Sequence, residues 1–151
     1  MATTAVQRYY EDVEPGDDLG PLERQPTAEQ VAAYTNVWGV GAGAAGGRFS
    51  DAAAARRDGM DAPIVPGNMS LAFLSQLVTD WAAPLGVLRS LEVNFRRPVR
   101  HNEQLRCLGL VTDKEVREGE PSIILDVFME DSRGDRPLQG TAVVVLPQRG
   151  A

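Results

Sequence analysis

The stretch Asn68-Met69-Ser70-Leu71-Ala72-Phe73-Leu74-Ser75-Gln76-Leu77-Val78-Thr79-Asp80-Trp81 decides the fold. Met69, Phe73, Leu74, Leu77, Val78 and Trp81 recur at helical spacing and so share one face. Leu71 and Ala72 add apolar character off that stripe. A helix apolar on most of its sides has to be buried. Pro63-Ile64-Val65-Pro66-Gly67 leads the chain into it, and Pro84-Leu85-Gly86 ends it. The rest of the chain must therefore supply something that encloses a helix over residues 68–81.

The downstream sequence supplies strands. Leu91, Val93 and Phe95 alternate with Glu92, Asn94 and Arg96, a period of two. Pro98 and the polar turn His101-Asn102-Glu103 close that strand, and Leu105 to about Val111 starts the next. A turn near Glu118-Gly119-Glu120-Pro121 separates it from Ile123–Glu130, and Ser132-Arg133-Gly134-Asp135 reads as a hairpin turn. The last strand, Thr141 to about Leu146, is apolar almost throughout and is expected to be central.

Upstream, residues 1–16 form a lead-in ending at the turn Glu14-Pro15-Gly16-Asp17, and residues 18–25 suit a short strand. Thr27-Ala28-Glu29-Gln30 fits a capping box at the head of a helix running to about Asn36. Five glycines in the nine residues 39–47 make a loop. It lacks the Lys-Ser/Thr of a phosphate-binding loop. Ser50 or Asp51 can cap a short helix from Ala52 to about Arg57, which Gly59 stops. The order is short strand, helix, loop, buried helix and four antiparallel strands. A long antiparallel sheet must cover one face, and helix 68–81 is the element able to cover it. The expected class is α+β.

At 151 residues the chain has the length of one domain and can bury a real core. Its net charge of −6, with both signs mixed along the chain, argues against a nucleic-acid partner. The densest basic stretch, Arg96, Arg97, Arg100 and His101, reads as a strand end and turn. The single cysteine, Cys107, cannot form an internal disulfide and alternates with Leu105, so a buried thiol is expected. With one Cys and one His there is no basis for a zinc site. Met1–Arg8 has no apolar core, so no signal peptide is expected. The apolar runs fall short of a bilayer span, so no membrane partner is expected and a cytoplasmic location is.

Several of these segments resemble the MaoC-like acyl-thioester dehydratases and hydratases, which have the hotdog fold. Pro63-Ile64-Val65-Pro66-Gly67-Asn68-Met69 is similar to the family's PIAHGML stretch, which opens its central helix. Leu91 to Val99 is similar to its VRFxxPV strand, and His101-Asn102-Glu103-Gln104-Leu105 to its PGDxL turn. Asp12-Val13-Glu14-Pro15-Gly16-Asp17 is similar to its xVxxGD start. The likeness spans roughly residues 10 to 148. It implies a single hotdog domain over residues 1–151, a long antiparallel sheet wrapped around the helix at about 68–81. It also implies a substrate carried as acyl-CoA or on acyl carrier protein, no cofactor, and a pocket at the interface of a dimer.

The resemblance breaks at the family's catalytic segment, D-x-N-P-x-H, whose Asp and His do the acid–base work. Counting forward from Tyr34, the family's Ser-Gly-Asp falls on Trp38-Gly39-Val40, so Val40 holds the aspartate position. Counting back from Gly59, Phe49 holds the histidine position and Ala44 the aspartate position. The registers differ by about four residues, which marks the Gly/Ala-rich loop 39–47 as an insertion. Neither register supplies Asp or His, and the one histidine, His101, lies in a distal turn.

By the same resemblance, Gly67 matches the helix-start glycine whose N–H faces the thioester carbonyl, where the helix dipole assists. Asp51 matches the acidic residue two places after the family histidine, and Asn68 adds an amide. Asp51 and Asn68 are the candidate catalytic residues; Asn36, Trp38, Arg48, Phe49, Pro66 and Gly67 are the candidate substrate-binding ones. Bland alternatives stand beside them: helix caps for Asp51 and Asn68, a tight turn for Gly67, and packing or surface roles for Trp38, Arg48 and Phe49. The expected function is that of a diverged hotdog protein acting on an acyl thioester or a polyketide-derived chain, as a cyclase, isomerase or other repurposed lyase. One alternative is a non-catalytic subunit of a heteromeric (3R)-hydroxyacyl-thioester dehydratase, paired with a dyad-bearing hotdog chain instead of a second copy. The others are a true dehydratase using Asp51 and a plain acyl-thioester-binding protein. A released polyketide-like small molecule is a possible ligand of the first reading.

Overall fold

The alternating segments become one antiparallel sheet in the computed structural model, which describes residues 6–37 and 47–151. Its strands are β1 (Asp18–Arg24), β2 (Val87–Phe95), β3 (Leu105–Arg117), β4 (Glu120–Glu130) and β5 (Leu138–Val145). They lie in the order β1-β3-β4-β5-β2. The helices are α1 (Ala28–Val37), α2 (Ala52–Arg57) and α3 (Gly67–Ala82). Helix α3 packs against all five strands. This is the expected α+β arrangement, a sheet wrapped around the central helix.

The periodicities explain the packing. Leu105, Cys107 and Val111 of β3 and Ile123, Leu125, Val127 and Met129 of β4 face inward and are essentially inaccessible. They meet Met69, Leu74, Leu77, Val78 and Trp81 of α3 in one hydrophobic cluster. Burying a side chain such as Leu74 is worth roughly 1.5–3 kcal/mol. The capping box at α1 forms as its sequence predicts: the Gln30 N–H donates to Thr27 Oγ1, and the Thr27 N–H to Gln30 Oε1, each at 3.1 Å.

Several strands run beyond their alternating patterns. β2 starts at Val87, four residues before Leu91, because Val87–Ser90 pair with Val143–Val145 across a register shift. β3 continues past Val111 to Arg117, forming a ribbon with Glu120–Ile124 of β4. Most of that part of β3 is half-buried or exposed, so no alternation marks it. Its turn is the pair Glu118 and Gly119, both with positive φ (50° and 81°), the geometry that closes a two-residue hairpin. β5 lies between β4 and β2, an interior strand as expected, while β4 is in the middle. Gly140 of β5 lets β2 approach, since a Cβ there would overlap the Glu92 carbonyl oxygen.

Cys107 is fully buried between its cross-strand neighbours Leu22 and Met129. Burial pushes its thiol from an ordinary 9.0 up to about 12, with the charge of Arg24 pulling the other way. Folding therefore holds the proton on. The resulting stability is fully present below the unfolded thiol's value and is lost as the pH rises from there toward the folded one. Between about pH 8 and about pH 10, urea unfolding of the wild type should lose about 1.4 kcal/mol more stability than unfolding of Cys107→Ala. Equal losses would contradict a protonated buried thiol.

Candidate functional site

Helix α3 begins without a side-chain cap, because its N-cap is Pro66. The Met69 and Ser70 N–H groups turn back to the Pro66 carbonyl at 3.0 and 3.2 Å. Helical geometry leaves the first N–H groups without internal partners. Among the described residues no acceptor meets the N–H of Gly67 or Asn68. The approach to the helix is braced on two sides: the Ile64 N–H donates to the Arg48 carbonyl at 3.0 Å, and the Val65 N–H to the Val99 carbonyl at 2.7 Å.

A cleft of about 370 Å³ opens between this first turn and the end of β2. Its apolar walls are Ile64, Val65, Phe95, Val99 and Leu138; Gly67, Ser70, Arg96 and Arg97 add polar groups. The size is at the small end for a ligand pocket, and the mostly apolar lining suits one. Among the described residues, no carboxylate and no imidazole lines it.

Arg97 is fixed from behind. Its guanidinium pairs with Asp131 and, at 3.4 Å, with Glu103. It also donates to the Pro98 carbonyl at 2.9 Å. The Asp131 carboxylate is 3% exposed and accepts the Arg133 and Asp135 N–H groups at 2.8 and 3.0 Å. A second furrow of about 430 Å³ shares Ile64, Arg97 and Pro98 with the cleft and is lined by Arg100 and Arg133 as well. Arg100 is paired there with Asp61 at 2.7 Å.

The residues singled out from the sequence are only partly brought together. Gly67 lines the cleft, and Pro66 is buried just behind it. Asn68 is exposed on the first turn of α3 and does not cap it, because Pro66 occupies the cap position. Arg48 lends its backbone carbonyl to Ile64, while its guanidinium pairs with Asp58 at 3.3 Å and lies over the Phe49 ring. Phe49 packs half-buried against the core. Asp51 caps α2, accepting the Ala53 N–H at 2.9 Å, and does not line the cleft. Asn36 is exposed near the end of α1. Trp38, Val40 and Ala44 lie outside the described residues, as does most of the loop 39–47. His101, half-buried in the turn after β2, has an Nε2 with no hydrogen-bond partner and does not line the cleft.

Sequence reasoning missed Ser70, Phe95, Arg96 and Arg97 as lining residues. For Phe95 a signal existed, its inward phase after Leu91 and Val93. For Arg97 there was none, since Asp131 lies far along the chain. Among the described residues, no group of His, Cys, Asp and Glu could hold a metal ion, and no helix is long and apolar enough to cross a membrane.

A five-stranded antiparallel sheet wrapped on one helix, with a cleft at the helix N-terminus, defines a hotdog protein. The family described as "MaoC like domain" matches residues 50–127, more than half of the sequence, and the chain belongs to it. Solved structures agree on the fold. The (R)-hydratase from A. caviae involved in PHA biosynthesis is 23% identical, with 91% of this chain and 99% of that one covered and a TM-score of 0.73. R-hydratase PhaJ1 from Pseudomonas aeruginosa is 19% identical, with 93% and 86% covered and a TM-score of 0.77. The C-terminally truncated HadBC complex, a (3R)-hydroxyacyl-ACP dehydratase from Mycobacterium tuberculosis, is 15% identical, with 86% and 95% covered and a TM-score of 0.69. No curated protein matches the sequence.

The Arg97–Asp131 network gives a test of what holds the cleft's polar wall. Asp131→Ala removes a buried acceptor of two N–H groups and an ion pair, and should cost about 2–3 kcal/mol in urea denaturation. Asp131→Asn keeps an acceptor for the amides and should cost roughly half as much. Equal costs would mean that the charge, not the turn, carries the stability.

Proposed function

We propose that this protein binds an acyl thioester or a polyketide-derived chain in the cleft at the start of α3, and acts on it without the family's Asp–His mechanism. The observation that carries the reading is the pairing of an apolar cleft with an uncapped helix N-terminus, lined by no described carboxylate or imidazole. The chain would lie against Ile64, Val65, Val99 and Leu138, with its carbonyl oxygen at the Gly67 and Asn68 N–H groups. Those donors and the helix dipole favour negative charge developing on that oxygen. Cyclisation or isomerisation can draw on such polarisation and on holding a flexible chain in a reactive shape. Dehydration through Asp51 has less support, because that carboxylate is engaged as the α2 cap.

The assembly we propose is a homodimer. A second reading replaces one copy with a hotdog chain that bears the dyad, leaving this one to complete the acyl pocket. What favours it is the likeness in fold to HadBC, itself described as a complex. The acyl carrier, CoA or carrier protein, is common to both readings.

The purified protein should bind a crotonyl thioester saturably and leave its enoyl absorbance unchanged. Turnover that disappears in Asp51→Ala would overturn the cyclase or isomerase reading and restore hydration with a substitute acid. Turnover that appears only with a dyad-bearing partner would establish the second reading. Gly67→Ala puts a Cβ 3.0 Å from Phe95 Cε1, at the proposed carbonyl position. It should weaken binding by roughly tenfold, about 1.4 kcal/mol, the scale of an overpacked contact. Unchanged affinity would remove the thioester from the helix N-terminus.

A further inference from the structure

Phe95 is the last residue of β2 and continues the inward phase of Leu91 and Val93. Those two are partly buried against the core, whereas Phe95 is 54% exposed. Its strand partner on β5 is Leu138, which is buried and also lines the cleft. The ring lies against the α3 start, since a Cβ on Gly67 would meet its Cε1, Cδ1 and Cζ at 3.0, 3.4 and 3.5 Å. The other apolar walls, Ile64, Val65, Val99 and Leu138, are 9% exposed or less. Close packing fixes such side chains in single rotamers. Among these walls Phe95 is the one that the single chain leaves more than half exposed. An aromatic ring half in water gains by being covered, and a chain entering the cleft would cover it.

We infer that Phe95 is the specificity-determining wall of the cleft, setting the length and girth of the acyl chain that fits. The inference rests on the reading that the cleft takes an acyl chain. The ring occupies space that a longer chain needs, so its size decides which chain is excluded. With the ring present, the volume of about 370 Å³ suits a short or compact chain. Arg96 and Arg97 follow Phe95 directly on the cleft wall.

The test measures affinities of butanoyl-, hexanoyl- and octanoyl-pantetheine, which carry the thioester stub common to CoA and carrier protein. The wild type should favour the butanoyl compound. Phe95→Ala should shift the octanoyl-to-butanoyl affinity ratio toward the longer chain by roughly tenfold or more, the scale of a methylene gained in an apolar pocket. Phe95→Leu should fall between the two, and Phe95→Trp should move the ratio the opposite way. A structural role alone would lower all affinities together and would not reverse sign with ring size. Thermal unfolding of each variant checks that it folds, and the leucine and tryptophan variants keep the test decisive if alanine does not. Binding with an unchanged ratio across the series would overturn the role of Phe95 alone. Absence of binding by every protein would overturn the acyl-chain reading, and this inference with it.

Discussion

The structure depends on enclosing α3. Leu74, Leu77, Val78 and Trp81 cannot be left in water, and a flat sheet would cover only one side of the helix carrying them. Packing all five strands against one helix requires a curved sheet, so curvature is a consequence of the helix's composition. Gly140 is part of that adjustment: its missing Cβ lets β2 close onto β5 and complete the wrap. One residue type at one close approach thereby fixes where the edge strand, and Phe95 with it, comes to lie.

The cleft is where that enclosure ends. A buried helix has its mid-section satisfied by its own hydrogen bonds, but its first N–H groups need partners from outside. Here the sequence puts Pro66 at the cap, which has no side-chain acceptor to give. The polar demand of the helix start is left facing an apolar hollow. Most proteins meet such a demand with Ser, Thr, Asp or Asn, and this chain does so at α1 with Thr27 and at α2 with Asp51. The contrast within a single chain sets the α3 start apart from the starts of α1 and α2.

Much of this was legible in residue order. The helical stripe of α3, the alternation in β2, β3 and β4, and the capping box at Thr27 each encode a local period or hydrogen-bond pattern, and each formed where expected. The ribbon formed by the outer ends of β3 and β4 was not legible, because it is stabilised by pairing across the Glu118-Gly119 turn and carries no one-sided burial to mark it. The site was legible only at Gly67. Asn68 looked like a cap because its type favours that position, but the cap falls where helical dihedrals begin, two residues earlier. Arg97 looked like part of a polar turn. Its role as a fixed wall depends on Asp131, whose carboxylate is pulled inward by the turn amides of Arg133 and Asp135. That arrangement exists only after β4 has paired.

The cleft and the connection between α1 and α2 are held in different ways. The cleft's walls come from α3, β2 and β5 and from the segments that lead into and out of them, all tied into the hydrophobic core or braced by backbone hydrogen bonds. The family's acid–base residues belong instead to the connection between α1 and α2. Of its described residues, Phe49 packs on the core and Arg48 braces Ile64 through its backbone, a contact that any side chain would permit. Substitution in the cleft's walls, by contrast, disturbs the core. The shape of the cleft is therefore fixed by the core that holds α3 and its strands.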